Sequence, residues 1–392
     1  MKFSLSFLLS IVISFNLFSQ NKIIKTVVNS VTKEPLEYAT IYNNKDFSLS
    51  NQEGKFIFNS VLDSIKIKMV GFDEFKSRFQ DLKNSSDTIV LNPKTYQLEE
   101  IIVQNNKKIL YKVYQNIEKN YAHFPYKENF FLRCLQKKND EILKFEDMYG
   151  RMQRNSLFTS QSIKKIDFDL ELLNLRKVGL QGKSKEIEDH KFHDFKGLML
   201  WFSTVFINPE DFEFSSEKIN ETNYIKISFI PLEKFRNKNR GYYIIDKKDF
   251  SIKEYYSETN PLFSQEIKFE EKLGFKWRTT KSELLIKFNK NENIGFSYIS
   301  SANLKQQTEV FNRKQERNNY ITNYDFFNID SFIKESIKSN TSINKDLFEI
   351  NYPYSSDFWT NQNQLLLTKE MKVFLEKLNE KDNEFVTISN IK

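Results

Sequence analysis

The sequence of 392 residues is poor in the residues that build the most recognisable protein sites. One cysteine excludes a disulfide framework and any zinc site made of several thiolates. Three histidines leave few ways to build a histidine-based metal centre. Nine glycines and seven prolines exclude collagen-like and linker-rich chains, and the sequence has no nucleophile elbow, Walker loop or dinucleotide fingerprint. We therefore predict a non-enzymatic protein with no catalytic residues, cofactor or metal.

The charge balance does not indicate a nucleic-acid partner. Lys and Arg together number 59 against 52 acidic residues, a formal net charge of +7. Only ten of these bases are Arg, whereas nucleic-acid sites concentrate Arg among aromatic residues. The densest basic run, residues 234–240, is typical of a solvated loop.

Residues 1–19 are typical of a secretory signal peptide. Lys2 supplies the positive charge, residues 3–18 are mostly apolar, and Leu17 and Ser19 occupy the −3 and −1 positions before Gln20. The alternative is an uncleaved anchor, but the apolar run is shorter than the ~20 residues that a spanning helix needs. We expect cleavage, no transmembrane span in the mature chain, and a location in the periplasm or on the periplasmic face of the outer membrane.

Residues 20–104 predict a small β-sandwich. Short strands follow one another with turn signals between them, and residues 64–70 alternate, with Ile65, Ile67 and Met69 on one face. Gly54 stands in the turn before the next apolar strand, where a positive φ is expected.

Five motifs of this region occur in order: KEPLEYATI (33–41), SNQEGKF (50–56), VGF (70–72), VL (90–91) and LEEIIV (98–103). Together they resemble the carboxypeptidase-regulatory-like domain of Gram-negative cell-envelope proteins. The resemblance implies a transthyretin-like β-sandwich without catalytic activity. The first strand departs from the family pattern, because Lys25-Thr26-Val27 lacks the usual Gly before the Val. No histidine is followed by Glu at the third position, so the zinc-peptidase motif is absent.

Residues 105–392 predict a larger antiparallel β domain with a few helices, which makes the whole chain mainly β. A four-residue apolar repeat over 106–121 predicts a linker helix, the apolar residues 195–206 predict a buried helix, and Thr368 is the expected N-cap of a C-terminal helix. Among the predicted strands is one at 263–269. The motifs NY (120–121), FFLR (130–133), FED (145–147) and DFWTNQN (357–363) resemble uncharacterised envelope proteins with a β-rich second domain.

Two features of this domain are candidates for a reactive site or a metal site. Cys134 lies in an apolar run and is expected to be a small buried hydrophobic residue. His190 and His193, with Asp189 and Asp194 beside them, supply too few ligands in good geometry for a metal.

The aromatic residues of the second domain are candidates for a ligand surface, because exposed Tyr and Trp on a sheet stack on sugars or line an apolar groove. These residues are Tyr242, Tyr243, Tyr255, Tyr256 and Trp277. The alternative is that one tyrosine of each adjacent pair lies in the core, since successive side chains of a strand point to opposite faces.

Three functions remain open from the sequence. The first is a non-catalytic envelope protein that binds a protein or a glycan through its β domains. The second is a periplasmic carrier of a lipid or another apolar ligand, because the hairpin at 242–254 is loosely similar to hairpins of lipoprotein-carrier folds. The third is an unrecognised hydrolase.

Overall fold

The computed structural model describes residues 21–69, 71–94, 106–159, 163–182, 190–219, 223–272, 274–361, 363, 365–378 and 385–391. The predicted signal peptide lies outside these ranges. The chain divides into two compact units, Met1–Thr95 with Ser356–Val373, and Tyr96–Ser355 with Phe374–Lys392. The predicted mainly β fold with a few helices is confirmed. The bounds predicted from the sequence, 20–104 and 105–392, remain predictions, and the first unit in the structure also takes in a C-terminal segment.

The N-terminal part of the first unit is built from seven described strands and a short helix. They are β1 (Asn21–Asn29), β2 (Thr40–Tyr42), β3 (Phe47–Leu49), β4 (Lys55–Ser60), β5 (Ser64–Lys68), β6 (Phe75–Arg78), α1 (Phe79–Lys83) and β7 (Thr88–Leu91). One sheet has the order β4-β1-β7 and the other β3-β2-β5-β6. β1 runs antiparallel to β4 and parallel to β7.

Apolar side chains from both sheets of the first unit form one core. Val27 and Phe58 come from the first sheet, and Ile41, Ile65 and Ile67 from the second. The alternation predicted for β5 places the last two inward and leaves the lysines between and after them more exposed. The unit is thus a β-sandwich, while its resemblance to the carboxypeptidase-regulatory-like family stays a prediction.

Gly54 has the positive φ that the turn before β4 was predicted to need, at +70°. A Cβ at this position would also lie 2.4 Å from the carbonyl oxygen of Val27. Glycine is therefore required here for two reasons, backbone conformation and close approach of β1.

The second unit contains one large sheet. Its strands are β8 (Tyr126–Lys138), β9 (Glu141–Arg154), β10 (Phe168–Gly182), β11 (Phe212–Lys218), β12 (Tyr224–Pro231), β13 (Arg240–Asp246), β14 (Ile252–Glu258), β15 (Glu270–Lys272), β16 (Phe275–Lys290), β17 (Ser297–Phe311), β18 (Arg317–Ser331) and β19 (Phe385–Ser389). They are ordered β11-β12-β13-β14-β16-β17-β18-β8-β9-β10-β19, with β15 beside β16. Every one of these pairs is antiparallel.

One face of this sheet, here called the inner face, carries the apolar side chains of the main core. Two helices before β8, α2 (Asn106–Gln115) and α3 (Ile117–Asn120), occupy the range predicted to be helical. The core includes Leu110 and Val113 of α2 together with inward residues of most strands. The opposite face is called the outer face.

The predicted buried helix is present as α4 (Phe195–Phe202). Asp194 caps its start, accepting a hydrogen bond from the amide of Gly197 at 2.7 Å. Four of its apolar residues are fully buried in the main core: Phe195, Leu198, Met199 and Phe202.

The strand predicted at 263–269 is wrong. The chain forms a turn there, followed by a 3-10 helix over Ser264–Glu266. Pro261 has no amide hydrogen for a ladder, and the side chain of Asn260 accepts a hydrogen bond from Leu262, which favours a turn.

Two further helices follow, α5 (Ser356–Asn361) and α6 (Lys369–Lys377). Thr368 caps α6 as predicted, accepting from the amide of Met371 at 3.2 Å. No described helix has the length and apolar character needed to cross a membrane.

Candidate functional site

The paired tyrosines of β13 and β14 alternate between the two faces of the sheet. Tyr243 and Tyr255 point inward and are buried in the main core, with ring centroids 5.0 Å apart. The hydroxyl of Tyr243 donates to the carbonyl of Val205 at 2.5 Å. These two candidates are core residues and offer no surface to a ligand.

Tyr242 and Tyr256 lie half-buried on the outer face. Their rings stack on each other with centroids 5.3 Å apart and an interplanar angle of 25°. On the other neighbouring strand, the ammonium of Lys226 lies 5.0 Å from the ring centroid of Tyr242. Both sides of the Tyr242 ring are thus occupied, and a sugar ring would need a free flat face.

Acidic neighbours fix the two outward hydroxyl groups. Tyr242 donates to Glu254 at 2.8 Å, and Tyr256 donates to Glu258 at 3.2 Å. Burial and these carboxylates raise the pKa of both tyrosines. Tyr242 and Tyr256 are therefore held in place on the outer face by hydrogen bonds and ring stacking. This arrangement does not favour stacking of a sugar on Tyr242.

Trp277, the remaining sequence candidate, lies half-buried on the inner face of β16. It stands opposite Val310 in the register and packs against a small cluster with Leu143 and Tyr320. Along β16 from Trp277, the inward residues Thr279 and Ser282 are also only half-buried. This part of the inner face is less covered than the main core.

The C-terminal end of α4 is the second apolar surface in this region. Leu200 and Trp201 are each 37% exposed, unlike the fully buried residues of the same helix. His193 links this helix to the sheet, because its Nε2 lies 2.8 Å from Oε1 of Gln306 and its ring lies 6.5 Å from that of Trp201. Gln306 stands opposite Ser282 in the register of β16 and β17.

We name this region the α4 patch. It comprises Leu200, Trp201, His193, Gln306, Ser282, Thr279 and Trp277. Leu200, Trp201 and Trp277 are apolar, and the remaining four residues are polar. The patch therefore combines apolar side chains with hydrogen-bonding groups, as small-molecule sites do. The sequence indicated Trp277 as a ligand-surface residue but not the others, since the contact between His193, just before α4, and Gln306 of β17 joins residues more than a hundred positions apart.

A row of side chains with titratable groups, here called the polar row, crosses four neighbouring strands on the inner face. In register order it runs Tyr324, Cys134, Glu146, Lys177. The adjacent row, two residues along each strand, is wholly apolar: Phe326, Leu132, Met148 and Leu175. The sheet interior therefore changes from apolar to polar within one step of the pleat.

Cys134 is buried, as predicted for a small hydrophobic residue. Burial, together with nearby carboxylates such as Glu146, raises the pKa of its thiol well above the usual value. A thiol in that state is a poor nucleophile.

The two clustered histidines take separate structural roles. The His190 ring lies 5.0 Å from the Tyr320 ring, and burial, with smaller contributions from Lys144 and His193, lowers its pKa to about 4. Asp194 is engaged as the cap of α4, and Asp189 lies outside the described residues. Within the described ranges, no three His, Cys, Asp or Glu residues are arranged to hold a metal ion.

Comparison with solved structures gives weak likenesses, of which two are described here. A Vibrio parahaemolyticus domain named as an outer membrane lipoprotein-sorting protein matches with a TM-score of 0.27 and 10% identity, over 60% of this chain and 95% of that domain. Lipovitellin, from a structure on lipid–protein interactions, matches with a TM-score of 0.25 and 10% identity, over 66% of this chain and 31% of lipovitellin. Scores this low show neither a common fold nor a common function. No protein-family model and no curated protein matches the sequence.

Proposed function

We propose that the second unit is a non-catalytic binder of an apolar ligand, such as a lipid acyl chain, at the α4 patch. The observation that carries this proposal is the exposure of Leu200 and Trp201 on a helix whose other apolar residues are buried in the core. Leaving apolar surface in water costs roughly 25 cal/mol per Å². A ligand that covers both side chains would recover that free energy.

The surroundings of these two residues support an apolar ligand with a polar end. Trp277 supplies a further half-buried aromatic side chain on the inner face of β16, on the same face as the hydroxyl groups of Thr279 and Ser282. His193 and Gln306 supply a few hydrogen-bonding groups, which would orient the ligand. No catalytic chemistry is needed in this arrangement.

The cellular location belongs to the same proposal. The signal-peptide pattern of residues 1–19 supports export, and the function then belongs to the periplasm or the periplasmic face of the outer membrane. Among the partners predicted from the sequence, a lipid is favoured by the α4 patch. A glycan is disfavoured at Tyr242 because both sides of its ring are occupied.

A fluorescent fatty acid, cis-parinaric acid, tests the proposal. We expect the purified full chain to bind it saturably, and Trp201→Glu to weaken binding about tenfold or more, which corresponds to about 1.4 kcal/mol. The matched control is Leu262→Glu, which places the same charge at a residue that is 76% exposed elsewhere in the second unit. Its affinity should equal that of the wild type.

Two results would contradict the proposal. One is the absence of saturable binding to the wild type. The other is an equal loss of affinity in the Trp201 and Leu262 variants. Aromatic residues are also common at protein interfaces. Native mass spectrometry of protein purified from its own cells therefore has to show a bound lipid rather than a bound protein.

A further inference from the structure

A segment of the second unit, residues 343–351, lies against the polar end of the inner face; we call it the strap. It contains a 3-10 helix, Leu347–Glu349, and its Leu347 and Ile350 are buried in the main core. The strap also holds the start of α4. The amide of Leu347 donates to the carbonyl of His193 at 3.3 Å, and the amide of Lys196 donates to the carbonyl of Ile343 at 2.9 Å.

Lys177 fastens the strap to the sheet. Its ammonium donates to the carbonyls of Phe348 and Ile350 at 2.7 and 2.5 Å, and to Oδ1 of Asn351 at 3.0 Å. An ammonium group has three hydrogens, so all the donors of Lys177 are used by the strap.

Glu146 stands beside Lys177 in the polar row and is fully buried. Among the residues that the structure describes, neither of its carboxyl oxygens has a hydrogen-bond partner. Burial raises the pKa of Glu146 well above the usual 4.5, although Lys177 and Lys144 oppose this effect. The neutral acid is the form that a site without donors tolerates.

We propose that Glu146 and Lys177 form a proton-controlled latch on the strap. While Glu146 is neutral, Lys177 holds the strap with all three of its hydrogens. When Glu146 ionises, the new carboxylate requires donors, and Lys177 is its neighbour in the row. Lys177 then turns from the strap to Glu146, and the strap and the start of α4 loosen.

The other charged groups around Glu146 are already engaged or repel a negative charge. Lys144 donates to the carbonyl of His190 at 2.8 Å, and Lys191 pairs with Glu349 on the strap at 2.8 Å. Asp346 on the strap and Asp147 on β9 add negative charge near Glu146.

Further titratable side chains lie near Glu146 and Lys177. Cys134 on β8 and Tyr324 on β18 are the other two members of the row, and burial raises the pKa of both. Lys345 lies on the strap near Lys177. His190 and His193 lie in the segment that Lys144 and the strap hold.

The latch predicts how the stability of the strap changes with pH. As pH rises and Glu146 loses its proton, protection of the strap against hydrogen exchange should fall. The strap contacts His193 and Lys196 at the start of α4. The latch would therefore also control the α4 patch if that patch binds a ligand as proposed above. The latch itself does not depend on that ligand.

Hydrogen exchange of the full chain tests the latch without any ligand. Protection factors, which remove the intrinsic effect of pH on exchange, are measured for peptides covering 190–202 and 343–351 between about pH 5 and pH 9. We expect wild-type protection to fall about tenfold or more across this range, and Glu146→Gln to stay flat. The control Glu349→Gln, an exposed acid on the same strap, should keep the wild-type slope.

A flat wild-type profile, or an equal slope in Glu146→Gln, would overturn the latch. If the Glu146→Gln variant does not fold, the wild type still decides the question. The carboxyl carbon of Glu146 in ¹³C-glutamate-labelled protein should titrate well above the ordinary range. Titration of Glu146 near 4.5 would show that it is ionised at neutral pH with the strap closed, which contradicts the latch.

Discussion

Arg154 donates through Nε to Oε1 of Glu128 at 2.7 Å, in a place where neither side chain has any exposed surface. The other carboxylate oxygen of Glu128 accepts a hydrogen bond from the side chain of Asn328. The pair lies on the inner face, so two opposite charges occupy the same interior as the apolar core. Each buried charge is stabilised in this interior by the opposite charge of its partner.

Removing one member of this pair should destabilise the protein strongly. Arg154→Met leaves the carboxylate of Glu128 buried without its cation, which typically costs about 3–5 kcal/mol. Urea unfolding measures the change.

The control Lys276→Met removes a cation from an exposed pair with Glu271 and should leave the unfolding midpoint unchanged. The double variant Glu128→Leu with Arg154→Met should recover most of the lost stability. If it is less stable than Arg154→Met alone, the cost does not come from the unpaired charge.

Asp147 on the outer face should make the protein sensitive to acid. Burial alone would raise the pKa of its carboxyl, but Arg133 and Arg176, at 2.7 Å each, lower it. The folded state therefore holds this group ionised at a pH where the unfolded chain takes up a proton. Its contribution to stability is present above the unfolded pKa and is lost as pH falls.

Asp147→Asn tests this contribution. The variant should be less stable than the wild type at neutral pH, and the difference in free energy of unfolding should shrink as pH falls below about 4. Urea titrations at several pH values measure both quantities. If the difference in free energy of unfolding between the two proteins stays constant with pH, the two arginines do not stabilise the charged form of Asp147.

Two glycines allow strain and steric clash to be separated. Gly71 has a φ of +83° and open space around the position of a Cβ, so Gly71→Val should cost about 1–3 kcal/mol from backbone strain alone. Gly54→Val adds a clash with the carbonyl of Val27 and should cost more. Denaturation midpoints of the two variants compare them directly. Equal costs would show that β1 moves away from residue 54 freely.

Local patterns were enough to predict much of the fold. The helix at the start of the second unit, the buried helix at Phe195–Phe202 and the cap at Thr368 each depend on residues within one or two turns. The same is true of the positive φ at Gly54. The prediction of a strand at 263–269 was wrong because Asn260 and Pro261 precede its apolar residues. The side chain of Asn260 accepts from the amide of Leu262, and this contact favours a turn.

The candidate site could not be predicted in the same way. Strand β18 pairs with β8, which precedes it by nearly two hundred residues, and this pairing brings Tyr324 beside Cys134. No pattern within either strand specifies the register between them. The polar row with Glu146 and Lys177, and the link from His193 to Gln306, follow from that register and from the strap.

His190 should add a second acid-sensitive step, at a higher pH than that of Asp147. Burial, with Lys144 and His193 contributing, lowers its pKa to about 4, from an ordinary value of 6.5. The unfolded chain therefore takes up a proton at this residue below 6.5 while the folded state does not. Stability from the neutral ring is complete above pH 6.5 and declines as pH falls towards 4.

Glutamine cannot gain this charge, so His190→Gln should lose stability less steeply than the wild type between these two pH values. Urea unfolding at stepped pH measures the slopes, and His123→Gln reports the effect of removing a histidine elsewhere. Ring-proton NMR supplies a direct check, because a His190 signal that titrates near 6.5 in the folded protein would contradict the prediction.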